Sequence, residues 1–155
     1  MEQNINMEYT LKKLSMEDFR QIKAFFTDIF TKEPWNDDWS DENQLDAYLT
    51  ERCGAFNSLT FGYFHNGEMI GMSAGRIIHW YTGTEYCIDE LGIRRDMQGR
   101  GVGTSFMKDM EKYLLADGIV QIYLHTERDV PAYQFYKKLG FEELNDEVAF
   151  AKYIE

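Results

Sequence analysis

The sequence predicts a mixed α/β fold, with a central mixed, mostly antiparallel sheet of about six to seven strands flanked by about four helices. Three observations predict it. Apolar residues recur at helical intervals in some segments and at every second position in others. Asn66-Gly67, the strongest short hairpin signal, stands between two alternating runs. The run "IVQIYLHT" is continuously apolar after a helical pattern, as a strand buried on both faces would be.

"EYTLKKL" alternates and opens the chain as a strand. Ser15 with Asp18 three residues on has capping-box spacing, and Phe19, Ile22, Phe26 and Ile29 then mark an amphipathic helix to about Phe30. "TKEPWNDDWS" is a polar loop interrupted by proline, after which Ser40 can cap a second helix with Leu45, Tyr48 and Leu49 on its buried stripe. "LTFGYFH" and "EMIGMSAGRIIHW" flank the hairpin, and "TGT" turns the chain into the strand "EYCIDELGI". A third helix carries Val102, Phe106, Met110, Tyr113 and Leu114 on one face, with Gly118 at its end. "PAYQFYKKL" has proline near its start and Gly140 after it, and "FEEL" and "EVAFAKYIE" close the chain as strands.

The 155 residues suit one domain, 1–155, with a sizeable core. A net charge of -11 argues against nucleic acid as a partner, since that needs a basic face. No apolar run approaches the ~20 residues that span a bilayer. "MEQNINMEYT" lacks a basic and then apolar leader, and Cys53 and Cys87 fit no metal or redox spacing, so a cytoplasmic protein with reduced thiols is expected. His65, His79 and His125 show no ligand spacing either, and no metal is expected. An acidic surface attracts cations such as polyamines, aminoglycosides and basic peptides, or simply keeps the protein in solution.

"RRDMQGRGVGTSF" crowds Gly99, Gly101 and Gly103 together with three arginines where the third helix begins. Glycines there let backbone N–H groups turn inward, and a helix N-terminus favours an anion. The spacing is neither G-x-x-x-x-G-K-[ST] nor a dinucleotide G-x-G-x-x-G, so on its own the run reads equally as a tight turn. From Arg94 to Arg100, three arginines against Asp96 leave a local charge of +2.

About thirty residues on, "PAYQFYKKLGF" is expected to join a helix to a strand through a glycine stop. Together the two segments resemble the GNAT superfamily of N-acetyltransferases. Gln98, Gly101 and Gly103 match its Q/R-x-x-G-x-G/A pattern, and Ala132, Phe135, Tyr136, Lys138, Gly140 and Phe141 match A-x-x-F-Y-x-K-x-G-F. The resemblance covers nearly the whole chain and implies a GNAT-like fold with acetyl-CoA as cofactor. The pantetheine arm would pair with backbone near Leu91 and Ile93. Gly99, Arg100, Gly101, Val102, Gly103 and Thr104 would cradle the pyrophosphate, with Arg94, Arg95 and Gln98 beside them. Asp129, Tyr133, Tyr136 and Lys138 would complete the cofactor site. Asp129 stands where many members carry an asparagine that contacts the pantetheine arm.

An attacking amine must first lose a proton, because its pKa is near ~10. Glu90, at the end of the central strand, is the expected base, and partial burial would raise its pKa toward neutrality. Alternatively, Glu90 binds the ammonium and water removes the proton. Asp89 is its neighbour in a strand and would point to the opposite face. Tyr136 matches the family's general acid; a core tyrosine is the plainer reading. The acceptor is expected among Trp35, Asp38, Trp39 and Glu90. Residues 28–52 hold eight acids against two bases, a net of -6, and tryptophan faces beside carboxylates suit a cationic amine. Equally, both tryptophans pack the loop and the acids are solvated. The expected activity is acetyl transfer to the amine of a small molecule or peptide; the alternative is a silent acyl-CoA-binding module. The sequence admits a homodimer.

Overall fold

The computed structural model describes residues 8–155; the polar start read as lacking a leader falls partly at residues 1–7, outside the described residues. Strand β1 (Thr10–Leu14) leads to a short 3-10 turn capped as expected. Ser15 N–H donates to Asp18 Oδ2 at 2.9 Å, and Ser15 Oγ accepts from the Glu17 N–H. Helix α1 (Phe19–Phe30) then buries Ile22, Phe25, Phe26, Ile29 and Phe30 along one stripe. Helix α2 (Glu42–Gly54) buries Leu45, Leu49 and Cys53 at intervals of four. Its cap is Asp41, not the expected Ser40: Asp41 Oδ1 accepts from the N–H groups of Asn43 and Gln44. A carboxylate at the cap also meets the positive end of the helix.

Strands β2 (Ser58–His65) and β3 (Glu68–Trp80) form the hairpin. Asn66 and Gly67 both have positive φ, 50° and 78°, the pair of conformations that lets a two-residue turn follow strand twist. Strand β4 (Gly83–Ile93) is antiparallel to β3, and β5 (Gln121–Leu124) is parallel to β4 after the crossover helix α3 (Val102–Ala116). The sheet order is β1-β2-β3-β4-β5. The core cluster from α1 and α2 includes Phe64 and Met72 of the sheet. Toward α3, Tyr63 stacks on Phe106 at 4.7 Å and Phe61 meets Tyr113 edge-on. Helices therefore cover both faces, which is why β2 is buried at every position from Leu59 to Phe64.

Among the described residues the strand count is five rather than six to seven. "IVQIYLHT" supplies only four residues of strand, partly exposed, because β5 is an edge with one partner. The chain divides into two units, Met1–His125 and Thr126–Glu155. The second holds α4 (Pro131–Lys138). Gly140 follows it at φ 89°. Within that unit Tyr133 O–H donates to Glu143 Oε2 at 2.8 Å, Arg128 pairs with the same carboxylate, and Tyr136 packs between Phe135 and Phe141. "FEEL" and "EVAFAKYIE" form no strand. Alternation needs a neighbouring edge to become a ladder, and the second unit offers none.

Gly75 on β3 has no room for a side chain: a Cβ would press on the Cys87 carbonyl oxygen and lie 2.6 Å from the Tyr86 ring. Gly75→Ala is therefore expected to cost about 1–3 kcal/mol in urea unfolding. No measurable loss would mean that β3 and β4 can slide apart there.

Candidate active site

The pairing of β3 with β4 runs Ala74 to Glu90 and then Gly75 to Ile88, leaving Asp89 as an extra residue in β4. Such a bulge breaks the alternation of side chains. The expectation that Asp89 and Glu90 face opposite ways is therefore corrected, for both reach helix α2. Arg52 Nη1 donates to Asp89 Oδ2 at 2.8 Å, and Tyr48 O–H donates to Glu90 Oε1 at 2.6 Å. Tyr48 and Arg52 are one helical turn apart.

The two carboxylates differ in company. Asp89 is also 3.3 Å from Arg76 Nε on β3, so two guanidiniums offset its charge. Glu90 has a neutral phenol instead. Burial pushes its carboxyl up to about 7, with the charges of Asp37 and Asp89 adding to the rise. The Tyr48 hydrogen bond and Arg52 work in the other direction. A group balanced near neutrality can take a proton in one step and release it in the next.

Trp39 stacks on Tyr48 at 5.1 Å and meets Phe26 edge-on, so it joins the Glu90 network through Tyr48. Its buried indole N–H has no hydrogen-bond partner among the described residues. Trp35 packs on Phe30, and Asp38 accepts from the Ser40 N–H; the Ser40 side chain first and its backbone N–H second hold the Asp38 carboxyl below the usual range. No described contact brings Trp35 or Asp38 to Glu90. Among the eight acids of residues 28–52, Asp28, Glu42, Asp46 and Glu51 are in ion pairs, and Asp38 and Asp41 serve as local caps. Of the remaining two, Asp37 acts on Glu90. Sequence reasoning missed Asp37, Arg52 and the link through Tyr48. The signal available was the i, i+4 spacing of Tyr48 and Arg52.

Beyond the bulge, β4 has a free edge. β5 pairs only with Glu85, Tyr86, Cys87 and Ile88, so Leu91 and Ile93 pair with β3 on one side and with no described strand on the other. Gln98 Nε2 donates to the Ile93 carbonyl at 3.0 Å, tying the loop to the strand end. Arg94 pairs with Glu68 as well as Asp96, so the local positive excess is smaller than the count suggests, while Arg95 donates to the Glu33 backbone carbonyl and keeps its charge. Arg100 is exposed. Gly99 and Gly101 have φ of 73° and 78°, and nothing lies within 4 Å of where a Cβ would stand. Gly101 caps α3 without a side-chain bond. The first helical bond runs from Ser105 N–H to the Gly101 carbonyl, which puts the N–H groups of Val102, Gly103 and Thr104 at the helix mouth. These residues fit a pyrophosphate, and the β4 edge fits an amide-bearing chain. In the second unit Tyr133, Tyr136 and Lys138 lie on α4, and Asp129 stands just before it.

Residues 13–141 match the model of the acetyltransferase (GNAT) family. The chain belongs to that family. This GNAT protein is an N-acetyltransferase, and acetyl-CoA is its cofactor. It is 28% identical over 132 residues to an acetyltransferase of Pectobacterium atrosepticum, covering 81% of this chain and 82% of the relative. A possible acetyltransferase from Clostridium difficile 630 shares the fold at TM-score 0.80 and 14% identity, covering 95% and 99% of the two chains. Aminoglycoside N-acetyltransferase AAC(6')-Iy, solved in complex with CoA, does so at 0.72 and 15%, covering 96% and 97%. Among the described residues no helix is long and apolar enough to cross a membrane.

Because the fold raises the Glu90 pKa, it favours the protonated form, and ionisation costs stability. That cost is absent below about 4.5, grows as pH rises and is complete above about 7. Glu90→Gln removes it, so the variant should gain on the wild type by about 1–2 kcal/mol between pH 4.5 and pH 8 in urea unfolding. An equal difference at both pH values would contradict the raised pKa.

Proposed function

We propose that this N-acetyltransferase acts on a primary amine of a small cationic acceptor, by direct attack in a ternary complex, with Glu90 as the base. The observation that carries the reading is the half-buried Glu90 carboxyl, raised to about 7 at a bulge beside the free edge of β4. Acetyl-CoA supplies the activated acetyl group. Its holders in this reading are the β4 edge at Leu91 and Ile93 and the residues from Gly99 to Thr104; the family pattern by itself gives Asp129, Tyr133 and Lys138 a cofactor role. Gln98 keeps the loop on the strand, and Arg100 adds positive charge.

The chain's own groups do the rest. Glu90 accepts one proton from the acceptor ammonium, leaving a neutral amine with a free electron pair. Tyr136 holds a proton at its Oη that a departing thiolate can take; this role comes from its place in the family pattern. Asp37 and Glu90 attract a cation, and Trp39 with Tyr48 offers aromatic surface beside them. Trp35 and Asp38 would border the acceptor from the same loop. Aminoglycoside acetyltransferases of this fold, one solved with sisomicin and one with a CoA-linked acetylneamine analogue, support an aminoglycoside acceptor. Residues 1–155 then serve as one catalytic domain.

A thiol-release assay with acetyl-CoA against aminoglycosides, polyamines and peptide amines tests the acceptor class; turnover confined to neutral amines would reject it. In that assay kcat/KM should rise with pH through about 7, as Glu90 ionises, and Glu90→Gln should lose the limb. Tyr136→Phe should lower kcat at least tenfold, on the order expected for a general acid, with little change in acetyl-CoA affinity because the ring is kept. Gly101→Asp should abolish acetyl-CoA binding in calorimetry. Aspartate tolerates positive φ better than most residues, so the fold should survive while the charge repels a phosphate.

A further inference from the structure

The Tyr48 hydroxyl crosses 42 positions of sequence to donate to Glu90 Oε1. Its ring is held on several sides. Trp39 stacks on it, Phe26 lies 5.9 Å away, and the Arg52 guanidinium stands 5.3 Å from its centroid. Arg52 is in turn anchored by Asp89, the bulged residue next to Glu90. The phenol and the carboxylate are thus set by one rigid group of side chains.

Resting on the reading of Glu90 as the base, we propose that Tyr48 is a positioning residue for acetyl transfer: it occupies Glu90 Oε1, so that Oε2 is the oxygen that takes the proton. In that step an N–H bond of the ammonium breaks, an O–H bond forms at Oε2, and the electron pair stays on nitrogen. Burial and the adjoining carboxylate keep the Tyr48 hydroxyl well above its ordinary range, so it remains a donor at working pH. A donor favours the ionised carboxylate, which opposes burial, Asp37 and Asp89. Arg52, from the same helix, acts in the same sense as Tyr48, while Arg76 on β3 is engaged with Asp89. Without the phenol, Glu90 would be protonated over more of the neutral range.

Tyr48→Phe keeps the ring and removes the hydroxyl. Two titrations are read on it: the 13C signal of the Glu90 carboxyl, assigned with Glu90→Gln, and the pH profile of kcat/KM. Both midpoints should move up by about one unit, lowering kcat/KM at pH 6.5 about five- to tenfold while acetyl-CoA affinity holds. At pH 9 the variant should recover to within about twofold, which a loss of folding would not allow. An unmoved carboxyl midpoint overturns the role of Tyr48 and leaves the base reading intact. A carboxyl midpoint that moves while the rate profile stays put overturns the base reading, and the positioning role with it.

Discussion

The extra residue in β4 is the constraint on which the candidate site depends. Without it, neighbouring side chains on a strand face opposite ways, and α2 could hold only one of Asp89 and Glu90. With it, both carboxylates meet α2, at positions one helical turn apart. Gly75 makes this possible, because only a residue without Cβ leaves room for the Cys87 carbonyl and the Tyr86 ring beside the bulge. β4 also parts from β5 at Ile88, directly before the bulge. One local irregularity thus coincides with a polar cluster on one side and an open strand edge on the other.

The carboxylates then diverge through their neighbours. Arg52 and Arg76 satisfy Asp89, which acts as the anchor. Glu90 is left to a phenol, and burial governs its protonation. Two adjacent acids so take different parts: Asp89 is held in ion pairs, and Glu90 is buried beside a phenol. The acidic segment before α2 follows the same rule. Ion pairs and caps take up most of its charge, and Asp37 is the acid that acts on Glu90.

The glycine loop shows how a count of charges can mislead. Arg94 and Arg95 have partners within the protein, so the loop's suitability for an anion lies mainly in its backbone. Two glycines at positive φ, an uncapped helix mouth and open space around both Cβ positions carry it. Gln98, a motif residue, spends its amide on holding the loop to Ile93.

Local patterns were legible because their causes are local. The Asn66-Gly67 hairpin, the Ser15 cap, the stripes of α1 and α3 and the paired GNAT motifs depend on spacing within a few turns of chain, and spacing is written in the sequence. The cap at Asp41 was missed by one residue, since Ser40 and Asp41 are both good caps and neighbouring backbone geometry chose between them. The last two strands were misread because alternation states a preference, whereas a ladder needs a partner edge. Tyr48 looked like one more residue of a buried stripe, and its bond to Glu90 spans 42 positions. The sequence by itself determined most of the elements and the family, and it offered Glu90 and Tyr136 as candidates. Only the tertiary structure decided which carboxylate is ion-paired and which is buried beside a phenol, because that depends on a bulge and on side chains brought from distant segments.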